Sequence, residues 1–178
     1  MIPNLLSVFR IVSSIPIIFL YSFDYYLSAL TLFIIASLTD FFDGYLARKY
    51  SQESNFGSLL DLLADKLLIS SILIWFVFLT NSFVICISTI LIIAREIAIN
   101  SIRAHILSED NNIQEIKPNL FGKIKTSIQM IAISLLFLFP LYDEAYLKVA
   151  SYLLLFSALV TVLSLNSYLV NWKKSKIN

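Results

Sequence analysis

The chain has 178 residues, of which 58% are hydrophobic, 14% are charged and only three are glycines. Average soluble domains contain about 25% charged residues and about 7% glycine, and the mean hydropathy here is +0.83. The composition excludes a disordered chain and a disulfide-rich secreted scaffold. It also disfavours a soluble globule, because a domain this small cannot bury so much apolar surface. The net charge is +1 and the basic residues are scattered, so no nucleic-acid partner is expected.

Six apolar segments follow one another along the chain, each near the length of about 20 residues that a transmembrane helix needs. They span residues 7–23, 27–47, 58–79, 83–103, 123–141 and 146–169. The links are short except for 104–122, a polar stretch that is expected to form a loop or a short surface helix. No room is left for a soluble domain. The sequence therefore predicts one all-α membrane domain over 1–178, a bundle of six transmembrane helices.

The orientation follows from the lysines and arginines between the segments, which concentrate on the cytoplasmic side of membranes. If the N-terminus lies inside, ten basic residues fall on the inner side: Arg10, Arg48, Lys49, Arg103, Lys117, Lys123, Lys125, Lys173, Lys174 and Lys176. Only Lys148 falls on the outer side, and Lys66 and Arg95 lie within segments. The sequence therefore predicts that both termini are cytoplasmic.

Four aspartates lie near the inner ends of the second and third segments. Asp40 and Asp43 are spaced i, i+3, and Asp61 and Asp65 are spaced i, i+4, so each pair shares a helical face. Four like charges repel one another unless something neutralises them. Hard divalent cations bind such oxygen ligands, and Mg²⁺ commonly joins carboxylates to substrate phosphates. Two metal ions about 4 Å apart suit displacement at phosphorus.

Two other interpretations of the aspartates remain open. They could lie in hydrated loops without any function, although acids within membrane spans usually mark function. They could also form the transport site of a membrane cation transporter. Against a transporter, all four lie near one face of the membrane, whereas a transport path needs access from both sides.

The three glycines fall near the same features. Gly44 follows Asp43, Gly57 precedes Asp61, and Gly122 precedes Lys123. All three are expected at helix ends on the cytoplasmic side, where a missing side chain lets a flat group or a backbone come close. Arg48 lies four residues beyond Gly44, on the same face, and can bind a phosphate in bidentate fashion.

The aspartates, the two glycines beside them and the arginine form one string, D-x2-D-G-x2-A-R-x8-G-x3-D-x3-D. Its fixed positions are Asp40, Asp43, Gly44, Ala47, Arg48, Gly57, Asp61 and Asp65. This string resembles the signature of the CDP-alcohol phosphatidyltransferase family, six-span membrane enzymes with the motif on the second and third spans. Further likeness to the bacterial members that use glycerol 3-phosphate lies in three short stretches: 2–6, with Arg10 soon after, 94–97 and 122–126.

The resemblance implies a reaction and a set of site residues. CDP-diacylglycerol and glycerol 3-phosphate would give phosphatidylglycerol phosphate and CMP. Asp40, Asp43, Asp61 and Asp65 would hold two Mg²⁺ ions, with Mn²⁺ as an alternative, and Asp65 would also take the proton of the attacking hydroxyl. The lipid donor would bind to residues at the start of the chain and around the motif: Pro3, Asn4, Leu5, Leu6, Gly44, Arg48, Ser54 and Gly57.

The phosphate of the acceptor needs cations of its own. Arg95, Arg103 and Lys123 are the candidates, with Lys125 as a further one. Alternatively, Arg95 forms an internal ion pair with Glu96, and the lysines only anchor helix ends at the membrane surface. The metal motif serves the donor, so another acceptor, such as inositol phosphate, serine or phosphatidylglycerol, remains open.

The resemblance also implies a location and partners. The protein would be a multi-pass protein of the bacterial inner membrane, with its active site facing the cytoplasm. Membrane lipids would surround it, and a second copy of the chain would form a homodimer with it.

Overall fold

A computed structural model describes the backbone of residues 2–50, 55–109 and 120–177, and the side chains of residues 6–39, 63–64, 66–102 and 126–165. The described backbone is helical almost throughout and contains no strand. Its six helices are α1 (Ile2–Ser22), α2 (Tyr26–Tyr50), α3 (Asn55–Thr80), α4 (Phe83–Glu109), α5 (Leu120–Leu138) and α6 (Glu144–Ile177). A short 3₁₀ turn, Phe139–Leu141, extends α5. The predicted all-α class is confirmed.

The helices outrun the apolar segments at several ends. Helix α4 continues to Glu109, so the first part of the link, which was predicted to form a polar loop or a short surface helix, extends this helix. The stretch from Ala104 to Glu109 contains no glycine or proline, and nothing in it stops the helix. Helix α6 has 34 residues, which corresponds to about 50 Å and exceeds the bilayer core of about 30 Å.

Two helices are followed by an aspartate or an asparagine at the left-handed position that glycine usually occupies. Asp24 and Asn81 adopt left-handed conformations with φ of 63° and 51°, just beyond the last turns of α1 and α3. After α1, the amide of Asp24 donates to Tyr21 O at 3.1 Å and that of Tyr25 donates to Leu20 O at 3.0 Å. This pair of bonds is the Schellman motif, and short polar side chains tolerate its left-handed residue. A chain with three glycines can therefore still end its helices tightly.

The described residues fall into two compact units. The first comprises Met1–Thr80 and Phe137–Asp143. In it, α1 packs along both α2 and α3, which contact each other at few points. Its core includes a cluster of four aromatic rings centred on Phe137, whose ring centroid lies 5.1–5.7 Å from those of Tyr21, Phe33 and Phe76. These edge and stacked contacts join three helices to the end of α5.

The second unit comprises Asn81–Leu136 and Glu144–Asn178, and α4 packs against α6 in it. The buried residues of α6 are mostly small: Ala150, Ser151, Leu154, Ser157, Ala158 and Thr161. Small side chains let two helices approach closely, which replaces the hydrophobic driving force that lipid does not provide. The hydroxyls of Ser151 and Thr161 donate to carbonyls one turn back in the same helix, Leu147 O and Ser157 O, both at 2.7 Å.

Two described stretches are long and apolar enough to cross a membrane, Phe83–Ile102 and Glu144–Leu165, and only 28% and 33% of their windows are buried. A core helix of a soluble protein would be largely buried by its neighbours. The exposed apolar faces of these two helices suit a lipid environment instead. Four shorter apolar stretches lie in the other helices: Leu6–Ser22, Tyr26–Thr39, Lys66–Thr80 and Thr126–Leu141. The arrangement of six spans stays a prediction.

The contribution of the aromatic cluster to the stability of the first unit can be tested by substitution. Replacing the buried Phe137 by alanine should lower the free energy of unfolding by about 3 kcal/mol, because the cavity removes contacts to three rings. Equilibrium unfolding in detergent micelles, followed by circular dichroism, measures this change. Phe156 is 54% exposed, so Phe156→Ala is the matched control and should cost about 0.5 kcal/mol or less. Equal losses in the two variants would contradict a cluster that stabilises this unit.

Candidate active site

The aspartate pairs lie on two neighbouring helices of the first unit. Asp40 and Asp43 are in α2, and Asp61 and Asp65 are in α3. Because both stretches are regular helix, the members of each pair are about 60° and about 40° apart around their helix axes. The prediction that each pair occupies one helical face is thus supported by the backbone. The four side chains lie outside the described part of the structure.

Helix α1 fixes these two helices relative to each other. It runs antiparallel to α2, because only three residues separate the two helices and the bond from Arg10 Nε to Thr39 Oγ1 (3.3 Å) joins their middle parts. It runs parallel to α3, along which Tyr21 contacts Phe76 with ring centroids 5.4 Å apart. Thr39 directly precedes Asp40, so the aspartate motif starts at the level of Arg10.

The burial of Arg10 was not expected from the sequence. Arg10 was counted among the basic residues of the cytoplasmic side and noted beside the N-terminal likeness to the family, but it is 0% exposed in the structure. The arginine lies on the face of α1 that also carries the buried residues Ser7, Ser13 and Ser14. The sequence did contain a sign of a functional role, because Arg10 lies inside the predicted segment 7–23 and a charged residue within a membrane span usually marks function.

The residues of the motif fit divalent cations. Among the side chains that the structure describes, no group of three acids, histidines or cysteines could hold a metal ion. The four aspartates stand outside that set, on two helices that both pack against α1. Four carboxylates on neighbouring helices are the hard oxygen ligands that Mg²⁺ and Mn²⁺ prefer.

The residues expected to bind the donor occupy the same three helices. Pro3, Asn4, Leu5 and Leu6 form the first turns of α1, Gly44 and Arg48 lie in α2, and Gly57 lies in the first turn of α3. Ser54 lies outside the described residues.

The expectation that all three glycines lie at helix ends is wrong for one of them. Helix α2 continues to Tyr50, so Gly44 lies inside it, whereas Gly57 and Gly122 lie in the first turns of α3 and α5. A glycine inside a helix costs about 1 kcal/mol relative to alanine. Its use at Gly44, beside Asp43, is consistent with close approach of another group rather than with a turn.

Arg95 is the candidate acceptor residue whose side chain the structure describes. It lies in α4, 11% exposed, and its Nη1 donates to Glu96 Oε1 at 2.8 Å. Its Nη2 lies 3.5 Å from Ser164 Oγ on α6. The internal ion pair considered from the sequence is therefore present. However, the buried Nε of Arg95 has no hydrogen-bond partner among the described residues, which leaves a donor for an anion.

The other candidate cations are placed by their backbone only. Arg103 lies two turns beyond Arg95 in α4, and Lys123 and Lys125 lie in the first turns of α5. Positions two apart in a helix differ by about 200°. Lys123 and Lys125 therefore occupy opposite sides of α5, and only one of them can share a face with a given ligand.

Comparison with known proteins identifies the class to which this site belongs. The family model for CDP-alcohol phosphatidyltransferase matches residues 1–163. The chain belongs to this family, which confirms the resemblance found in the motif and makes the protein a phosphatidyltransferase rather than a transporter. Family membership and the two exposed apolar helices together indicate a membrane protein.

Several relatives carry one particular name, CDP-diacylglycerol–glycerol-3-phosphate 3-phosphatidyltransferase. The protein of Wigglesworthia glossinidia brevipalpis is 41% identical over 150 residues, covering 82% of this chain and 79% of the relative. That of Rickettsia bellii is 35% identical over 182 residues, covering 97% and 96%. That of Cereibacter sphaeroides is 40% identical over 148 residues, covering 77% of this chain and 63% of the relative.

The aspartates can be tested as metal ligands without any substrate. Asp61→Asn should weaken Mn²⁺ binding by the purified protein about tenfold or more, because an amide oxygen carries no charge. The electron paramagnetic resonance signal of free Mn²⁺ measures the binding. Asp143 is exposed and far from the motif in sequence, so Asp143→Asn is the control. Unchanged Mn²⁺ affinity in Asp61→Asn would remove this residue from the site.

Proposed function

We propose that this protein transfers the phosphatidyl group of CDP-diacylglycerol to glycerol 3-phosphate, giving phosphatidylglycerol phosphate and CMP. The observation that carries the proposal is the family match over residues 1–163 together with relatives of that name at 33–41% identity. The complete motif on α2 and α3 supports the use of a CDP-linked donor. An alternative acceptor alcohol within the same family is the outcome that a direct assay would reveal.

The donor would bind where α1, α2 and α3 bring their motif-bearing ends together. Arg48 would bind the pyrophosphate, and the first residues of α1, Pro3 to Leu6, would line the nucleotide. Gly44 and Gly57 would leave room for it because they carry no side chain. Ser54 would add a hydroxyl contact. The exposed apolar surfaces of the helices suit a donor whose acyl chains stay in the membrane.

The four aspartates would hold two divalent cations, Mg²⁺ or Mn²⁺, and Asp65 would also act as the base. When bound, the cations stabilise negative charge on the entering and leaving oxygens. Asp65 would accept the proton of the glycerol hydroxyl, whose oxygen attacks the β-phosphorus that carries diacylglycerol. The bond from this phosphorus to the bridging oxygen breaks, and CMP leaves with that oxygen. A carboxylate can act so only within hydrogen-bonding reach of the hydroxyl.

The acceptor phosphate would bind to Arg95, with Arg103 and Lys123 or Lys125 as further cations. The unpartnered Nε of Arg95 supports this role, because a buried donor without a partner is costly and a phosphate would satisfy it. The ion pair with Glu96 holds the guanidinium in place at 2.8 Å. It thereby reduces the ordering that ligand binding would otherwise require.

We further infer the setting of the enzyme from charge and length. Of the eleven basic residues in the links and near the segment ends, ten fall on one side, or nine of ten without the buried Arg10. This asymmetry supports six spans, cytoplasmic termini and an active site that faces the cytoplasm. The location would be the bacterial inner membrane. A single domain over 1–178 accords with one family model that covers 1–163. The exposed apolar faces would contact lipid and a second copy of the chain.

The choice of acceptor is tested by CMP release. Purified protein with CDP-diacylglycerol and Mg²⁺ should release CMP only when glycerol 3-phosphate is added, because the acceptor supplies the attacking oxygen. Serine, inositol phosphate and phosphatidylglycerol serve as parallel acceptors. If any of these alcohols gives faster CMP release than glycerol 3-phosphate, that alcohol is the acceptor and the proposed acceptor is wrong.

The role of Arg95 is tested by kinetics on both substrates. Arg95→Ala should raise the KM for glycerol 3-phosphate by about 10- to 100-fold, the value of a charge-assisted hydrogen bond, and should change the KM for CDP-diacylglycerol much less. Lys148 is exposed on the predicted outer side, so Lys148→Ala is the matched control. If both KM values of Arg95→Ala rise together, Arg95 is structural and lies outside the acceptor site.

A further inference from the structure

Arg10 is the most unusual buried residue of the first unit. It is 0% exposed within a set of apolar helices, and it ranks among the largest fully buried side chains of the described part of the chain. Burial of an ionised guanidinium is strongly unfavourable unless anions and hydrogen-bond acceptors surround it. A feature so costly requires a compensating interaction at the same level of the fold.

One such interaction is with the residue that precedes the aspartate motif. Arg10 Nε donates to Thr39 Oγ1 at 3.3 Å. The Thr39 hydroxyl in turn donates to Ala36 O at 2.6 Å, one turn back in α2. The hydroxyl proton is therefore committed to the helix, and the oxygen presents its lone pairs to the guanidinium. This chain of bonds fixes the turn of α2 that leads into Asp40.

The packing of α1 on α3 brings in the second aspartate pair. The two helices are parallel, and Tyr21 contacts Phe76 through their rings. Arg10 and Asp65 each lie eleven residues before these two rings, so their positions are at about the same level along the parallel helices. Ala64 and Leu68, on either side of Asp65 in the sequence, are buried at 0% and 1% exposure, so this part of α3 is still packed.

None of the acidic side chains that the structure describes in this unit is buried. They are Asp24 and Asp143, and both are exposed. Asp24 follows α1 fourteen positions beyond Arg10, which corresponds to about 21 Å along a helix. By contrast, Asp40 directly follows Thr39, the residue to which Arg10 is hydrogen-bonded.

We propose that Arg10 is a positioning residue of the aspartate site: anchored on Thr39, its buried guanidinium holds α1 against the turn of α2 that leads into Asp40. This inference rests on the proposed metal-dependent function. It concerns the preorganisation of the ligands, not contact with a substrate. Loss of a residue that orients metal ligands typically weakens metal binding by about 10- to 100-fold.

The test uses Mn²⁺ binding by the purified, substrate-free protein in detergent, followed by the paramagnetic resonance signal of free Mn²⁺. Thr39→Val removes the hydroxyl at nearly constant volume, and Arg10→Lys keeps the charge but removes the Nε donor. Each should raise the Mn²⁺ dissociation constant about tenfold. The double variant should bind Mn²⁺ no less tightly than the single variant with the lower affinity, because both substitutions remove the same hydrogen bond. Thr39→Ser keeps the hydroxyl and should restore wild-type affinity.

Thr31→Val is the matched control. Thr31 is exposed on the same helix, and its hydroxyl donates only to Leu27 O at 2.7 Å. Wild-type Mn²⁺ affinity in both Thr39→Val and Arg10→Lys would overturn the positioning role while leaving the metal site intact. Absence of Mn²⁺ binding by the wild-type protein would instead overturn the metal site, and the positioning role with it. If Thr39→Val does not fold, Arg10→Lys and Thr39→Ser decide the question by the same measurement.

Discussion

The cost of placing charge among apolar helices is the constraint on which this structure depends. Most of the side chains meet lipid or one another, so every ionised group inside the bundle needs a partner. Arg10 meets this need through Thr39 on α2, and Arg95 meets it through Glu96. In both cases the charge is held by a neighbour that also belongs to, or directly adjoins, a motif of the sequence. Each of these contacts thus fixes a buried charge beside residues of a sequence motif.

The rest of the packing serves to hold these charged positions still. An aromatic cluster ties α1, α2 and α3 to the end of α5, well away from the aspartates. In the second unit, small residues on α6 let α4 approach closely, which brings Ser164 near Arg95. Helix ends without glycine add rigidity, since Asp24 and Asn81 take the left-handed positions. The three glycines lie instead in α2 and in the first turns of α3 and α5.

Much of this architecture could be predicted from hydropathy and spacing. Each of the six apolar segments corresponds to one helix, whose ends lie up to eight residues from the predicted ones, and the aspartate spacing falls within regular helix in α2 and α3. The errors have local causes. Gly44 was expected at a helix end because glycine usually ends helices, but α2 runs on to Tyr50. The link after residue 103 was expected to be a loop or a separate surface helix, although its first residues contain nothing that stops α4.

The sequence by itself determined the class of protein. A motif with eight fixed positions specifies a chemistry, because metal ligands and phosphate contacts tolerate few residue types at fixed distances. It also determined the helices, because the apolar lengths match a membrane. Only the tertiary structure decided which charges are buried and with what partner. Arg10 looked like a surface anchor until α1 packed against α2 and α3, since a residue's burial depends on neighbours that are distant in the chain.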